Sequence, residues 1–149
     1  MVNNRKNVSQ YAGASPSDVG GGSRKIQGKA DGPLYDPAAL IALLEVGADG
    51  ENYAPVIPFT EKCARDVQKY ELDARELATL VKDAVRSGTF KGSEWCEKQP
   101  GGPWAACDVY VLIRQEWNEY AYKDITQEYY VKLAINRTGK LILLVSMHQ

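Results

Sequence analysis

Apolar residues recur at helical spacing from Leu77 through Leu80, Val81, Ala84 and Val85, and after Gly88 the period falls to two. Three helices are expected before that change. Asp36 caps the first, Pro37 takes its first position, and the run ALIALLEV carries it to Gly47. The Pro-rich segment YAPVIPF reads as a crossing to Thr60, which caps a second helix over Glu61–Lys69 with Cys63, Ala64 and Val67 on one face. The third is the best signed. Asp73 and Glu76 form a capping box, Leu72 and Leu77 a hydrophobic staple, and Gly88 is expected to give a left-handed stop.

Beyond Gly88, Thr89 to Lys91 reads as a short strand and GSEWCEKQPGGPW as a loop. Cys107, Val109, Val111 and Ile113 alternate with Asp108, Tyr110, Leu112 and Arg114, the pattern of a strand with one buried face. A polar connection, QEWNEYAYKDI, leads to a second strand in which Tyr129, Val131, Leu133 and Ile135 alternate with Tyr130, Lys132 and Ala134. Asn136 to Gly139 is a hairpin loop with glycine placed for positive φ, and Leu141 to Met147 is apolar on both faces, as a central strand would be. The expected fold class is α+β, with N-terminal helices packed on a small antiparallel sheet.

Residues 1–34 hold almost no large apolar groups and are rich in Gly and Ser, so they read as a flexible extension ahead of one domain at 35–149. Charge sharpens this division. Residues 1–30 carry Arg5, Lys6, Arg24, Lys25 and Lys29 against Asp18 alone, although the whole chain has net charge −1. A basic extension on an acidic body is awkward for a nucleic-acid partner unless the extension supplies the cations. No window is long and apolar enough to cross a bilayer and the first residues lack a secretory signal, so the expectation is a cytoplasmic protein with no membrane partner. Three cysteines form no C-x-x-C, and with one histidine they supply no tetrahedral zinc set without using every candidate. Buried thiols, no metal and no cofactor are expected.

The single histidine constrains catalysis. Any acid–base chemistry must combine His148 with Tyr, Lys, Glu or Asp. RNA transesterification needs a base for the 2′-hydroxyl, a cation at the charged phosphorane and an acid for the departing 5′-oxygen, and imidazole is the side-chain group that titrates near neutrality unaided. Tyr130 and Lys132 share a strand face, where the phenol can donate to phosphate or stack on a base. Lys91 and Lys132 are candidate phosphate clamps, and the base is either a neutral Tyr or a carboxylate such as Glu128. The bland alternatives are a solvated terminal histidine, an amphipathic cover on the sheet, and loop packing by Trp117, Tyr120 and Tyr122, which also have the faces to stack bases.

Several short motifs follow one order: Leu72-Asp73, Phe90-Lys91-Gly92-Ser93, Trp104 ahead of Asp108-Val109-Tyr110, Tyr130-Val131-Lys132, and Val145-Ser146-Met147. In that order and spacing, residues 37–149 resemble the MqsR family of bacterial toxins, mRNA interferases of type II toxin–antitoxin systems with a RelE-like fold. The resemblance implies a metal-independent endoribonuclease acting on single-stranded mRNA and neutralised by a cognate antitoxin. It places the family's catalytic positions on Lys91 (or Gly92, allowing one gap), Cys107, Tyr130 and His148. Two of these depart in residue type, since the family carries Gln at Cys107 and Lys at His148. Gln99 and Gln115 are near enough in sequence to replace the amide, and with Lys132 and Tyr110 they are the RNA-binding candidates. The competing expectation is a non-enzymatic protein-binding module or inhibitor on the same fold with a degraded site.

Overall fold

The computed structural model describes residues 6–16, 24–46 and 55–148. Among them are helices α1 (Pro37–Glu45), α2 (Glu61–Lys69) and α3 (Ala74–Ser87). Strands β1 (Arg24–Gly28), β2 (Val56–Pro58), β3 (Thr89–Glu97), β4 (Trp104–Asn118), β5 (Lys123–Ile135) and β6 (Ile142–Ser146) form one sheet in the order β1-β3-β4-β5-β6-β2. The architecture is mixed α and β, compatible with α+β. Its order differs from the expectation: β1 precedes α1, and the Pro-rich crossing contributes β2, which runs parallel to β6 at the sheet edge. Proline is tolerated there because an edge strand leaves N–H positions that need no partner.

The helices start where their capping residues predict. Asp36 accepts from the Ala38 N–H at 3.1 Å, Thr60 from Cys63 at 3.1 Å, and Asp73 from Glu76 at 2.8 Å, with the Glu76 carboxylate returning to the Asp73 N–H. The exit from α3 is a correction. Gly88 is extended, with φ −78° and ψ 177°, and not left-handed. Glycine is needed for close approach: a Cβ there would meet the Val111 carbonyl oxygen at 2.9 Å and the Ala84 carbonyl closer still.

Two further corrections enlarge the sheet. The stretch read as a loop after Lys91 continues as β3 to Glu97, paired with β4 throughout. The polar connection is the distal half of a hairpin, paired without a break from Asp108↔Leu133 to Asn118↔Lys123 and turned by residues 119–122.

The flexible-extension reading of residues 1–34 is overturned for the described part. β1 pairs with β3, Asn7 bridges to Trp104, and Ser9 bridges to Asn136. Tyr11, Ile26 and Leu34 cover a second hydrophobic cluster of Trp95, Trp104 and Ala106. These few apolar groups suffice because each meets a large aromatic surface that the rest of the chain leaves open. The main core joins α1, α2 and α3 to the sheet through residues such as Leu40, Cys63, Leu80, Val81, Leu112, Val131, Leu133 and Met147.

Between the two clusters lies a buried carboxylate. Asp108 accepts hydrogen bonds from the Leu34 N–H (2.9 Å), the Tyr35 N–H (3.0 Å) and the Ser93 hydroxyl (2.6 Å). Tyr35 then donates its hydroxyl to the Ala106 carbonyl at 2.5 Å. Burial pushes the Asp108 carboxyl above the ordinary range, opposed by those three donors. The same clamp fixes the chain leading into α1 to the middle of β4.

Candidate functional site

Alternation on β4 and β5 sorts the sequence candidates onto two faces. Val109, Val111 and Ile113 pair with Lys132, Tyr130 and Glu128, and these six share the face opposite Arg114, which reaches Asp83 of α3 at 2.6 Å. Tyr110 lies on the helix side with Leu112. It is buried against Phe90, with ring centroids 5.6 Å apart, its hydroxyl has no hydrogen-bond partner, and burial pushes its pKa up to about 12. Tyr110 is therefore a core residue and not an RNA contact, because the sheet itself stands between it and the candidate face.

Three groups do converge. Tyr130, half-exposed, stacks on His148 with centroids 5.3 Å apart and planes 29° from parallel. The backbone sets this pair: the Tyr130 N–H donates to the His148 carbonyl at 2.9 Å, one rung beyond the Lys132↔Ser146 pairing. The Glu128 carboxylate stands beside the Tyr130 hydroxyl, and its hydrogen bond and charge raise the phenol above its ordinary value. The phenol is thus held protonated, as a donor. Lys132 makes a 2.6 Å ion pair with Glu94. Burial works against its ammonium, but the Glu94 hydrogen bond and charge outweigh it, and Lys132 is held above its ordinary value.

Lys91 reaches this face through a β-bulge. The register passes from Phe90↔Tyr110 to Gly92↔Val109, so Lys91 is the extra residue, and it is exposed. Bulges re-aim a side chain in this way. Of the two positions that the resemblance allows, Gly92 has no side chain to contribute. A cavity of ≈ 290 Å³ is lined by Ser87, Thr89, Lys91, Val111, Glu128 and Tyr130 among others.

The remaining candidates stand apart. Gln99 is exposed in the turn beyond the C-terminal end of β3, whereas Lys91 is near its start. Gln115 lies on the candidate face but farther out along the hairpin, where its amide donates to Thr126 at 2.8 Å. Cys107 is fully buried, and burial together with neighbouring Cys96 keeps it a thiol, so it offers nothing to a ligand. None of the three cysteines is in a disulfide, as expected for buried thiols.

Sequence reasoning missed Glu94, Lys25 and Lys29. Glu94 was hidden in the supposed loop, where Ser93-Glu94-Trp95-Cys96 runs polar, polar, apolar, apolar and so lacks the alternation that marks a strand. The two lysines belonged to the supposed extension, where Ile26 between the polar Lys25 and Gln27 was the available signal. No group of three or more His, Cys, Asp and Glu side chains suited to a metal occurs among the described residues. No helix among them is long and apolar enough to cross a membrane. No protein-family model, no curated protein and no solved structure matches the chain significantly.

Proposed function

We propose that this chain is an endoribonuclease that cleaves single-stranded mRNA by transesterification, a RelE-like toxin similar to the MqsR family and restrained by a cognate antitoxin. The observation that carries the reading is the stacked Tyr130–His148 pair, flanked by Glu128 and by the ammonium of Lys132 on one open sheet face. In the proposed step Glu128 takes the proton of the 2′-hydroxyl, directly or through the Tyr130 hydroxyl, and the 2′-oxygen attacks phosphorus. The bond to the 5′-oxygen breaks, and that oxygen takes a proton from His148. The products are a 2′,3′-cyclic phosphate and a 5′-hydroxyl, and the sequence needs no metal. Lys132 and Lys91 oppose the charge that grows on the phosphorane.

Incubating the purified chain with single-stranded RNA tests this directly. Cleavage that survives excess EDTA and leaves a 2′,3′-cyclic phosphate is expected; a 3′-hydroxyl product or loss of activity on chelation rules the mechanism out.

One observation favours a second reading, a protein-binding module. The hairpin arm beyond Ile113 exposes Trp117, Tyr120 and Tyr122 among Glu116, Glu119, Lys123 and Asp124, a net acidic surface that suits a basic protein segment better than RNA. Growth arrest that persists in a folded His148→Ala variant would select it.

A further inference from the structure

The candidate face does not end at Lys91. Lys91 also forms the wall of a second, larger cavity of ≈ 530 Å³ that continues across β3 to β1 and takes in Lys25, Lys29 and Lys132. Two glycines bring bare backbone into its lining beside Ser93 and Val109. Gly28 on β1 pairs with Gly92 on β3, and a Cβ on Gly92, where φ is +132°, would meet the Gln27 carbonyl at 2.9 Å. Two glycines side by side therefore leave a trough, with ammonium groups along its rim. Glu94, in the same lining, offsets Lys132 at 2.6 Å, and Asp31 beside it accepts from the Gly28 N–H at 2.9 Å. On a chain of net charge −1, the three further lysines around one trough, Lys25, Lys29 and Lys91, are a concentration of positive charge that calls for an anionic ligand.

We propose that this trough, floored by Gly28 and Gly92 and rimmed by Lys25, Lys29, Lys91 and Lys132, is a phosphate-tracking subsite that makes the substrate a polynucleotide strand. The proposal rests on the ribonuclease reading for the identity of the neighbouring centre. Continuity argues for a strand over a single anion. From β5 to β1 is three strand spacings, about 14 Å, so the ligand must carry negative charge over more than one nucleotide length. Lys91, shared by both cavities, would hold the phosphate between the reacting linkage and the flanking one. Single-stranded nucleic acid is bound by grooves of this kind, with cations along the backbone.

The test measures binding apart from cleavage. A 2′-O-methylated oligonucleotide, which has no free 2′-hydroxyl to attack, is titrated against the full chain by fluorescence anisotropy over a range of salt. Lys25, on edge strand β1, and Lys29, in the short turn that follows it, are both exposed, so the Lys25→Gln/Lys29→Gln double variant should keep the fold, checked by its thermal melt. Its affinity at about 50 mM salt should fall roughly tenfold or more, and the slope of log K against log salt should shrink by about 1.4, two lost phosphate contacts on a single strand. The charge-matched Lys62→Gln/Lys69→Gln variant on α2 should bind as the parent does. Unchanged affinity and slope in the Lys25/Lys29 variant would overturn the subsite while leaving a cleaving enzyme intact. Failure of the parent chain to bind, or equal displacement by polyglutamate of matched charge, would overturn it too. Binding that depends on Lys25 and Lys29 in a chain that never cuts RNA would keep the subsite and discard the ribonuclease reading.

Discussion

The imidazole of His148 lies over the phenol ring of Tyr130 at 5.3 Å, so removing either group changes the other's surroundings. His148→Ala should lower the cleavage rate by about 10² to 10⁴-fold, the range of a general acid. His148→Lys should recover part of that rate. Tyr130→Phe keeps the ring under the imidazole and removes only the hydroxyl. A large rate loss in Tyr130→Phe assigns the proton path from the 2′-hydroxyl to the phenol, and a small one assigns it to Glu128 alone. Single-turnover cleavage of one RNA by all three variants separates these outcomes.

The Lys132–Glu94 pair predicts a pH effect. Lys132 is held above its ordinary value by Glu94, so its ammonium survives past neutrality and is lost only as pH rises through that elevated value. Cleavage by an imidazole general acid fails at lower pH than that, so the readout for Lys132 is binding of the uncleavable 2′-O-methylated oligonucleotide. Glu94→Gln removes the partner that raises Lys132, and the alkaline loss of binding should then begin at lower pH, whereas Lys132→Met should weaken binding across the range. A binding profile unmoved by Glu94→Gln would mean that Lys132 does not set that loss.

Asp108 reverses the usual carboxylate behaviour. Its native pKa is raised by burial, so the folded chain binds its proton more readily than the unfolded chain does, and the stability it contributes grows as pH falls through the native value. Asp108→Asn places an amide where two oxygens accept three donors and should cost on the order of 2 kcal/mol at pH 7. The deficit relative to wild type should widen between pH 7 and about pH 4. Urea melts at the two pH values measure both; a deficit that narrows would show the three donors prevailing over burial.

Removing residues 1–34 should not leave an intact core. It strips Tyr11, Ile26 and Leu34 from Trp95 and Trp104, deprives Asp108 of its Leu34 donor and makes Tyr35, its other backbone donor, a loose chain end. The truncated chain is expected to show red-shifted tryptophan fluorescence and a markedly lower melting temperature. In the full chain, trypsin should cut slowly at Lys25, whose strand is paired to β3.

Helix starts were legible because capping is local: Asp36, Thr60 and Asp73 each act within three residues of themselves. The Tyr130–Lys132 face was legible from period two alone. What escaped were features settled by partners far away in sequence. Arg24–Gly28 looks unstructured until β3 offers an edge, and Glu94 looks like loop until Lys132 neutralises it. Tyr110 was misplaced because Asp-Val-Tyr alternates equally well with either face inward, and only the buried bonds of Asp108 fix which side faces the helices. The bulge at Lys91 leaves no trace in composition.

The pairing of β1 with β3 also has a kinetic side. Lys25 meets Glu94, Asn7 meets Trp104 and Ser9 meets Asn136, so the earliest described residues find partners only after most of the chain has been made. Contacts of such long sequence separation slow folding, because loop closure must come before they stabilise anything. The hairpin of β4 and β5 can zip locally, and β1 is then added to its far neighbour. A refolding experiment should therefore show tryptophan burial at Trp95 lagging the gain of sheet signal, with the lysine-rimmed trough among the last parts of the molecule to exist.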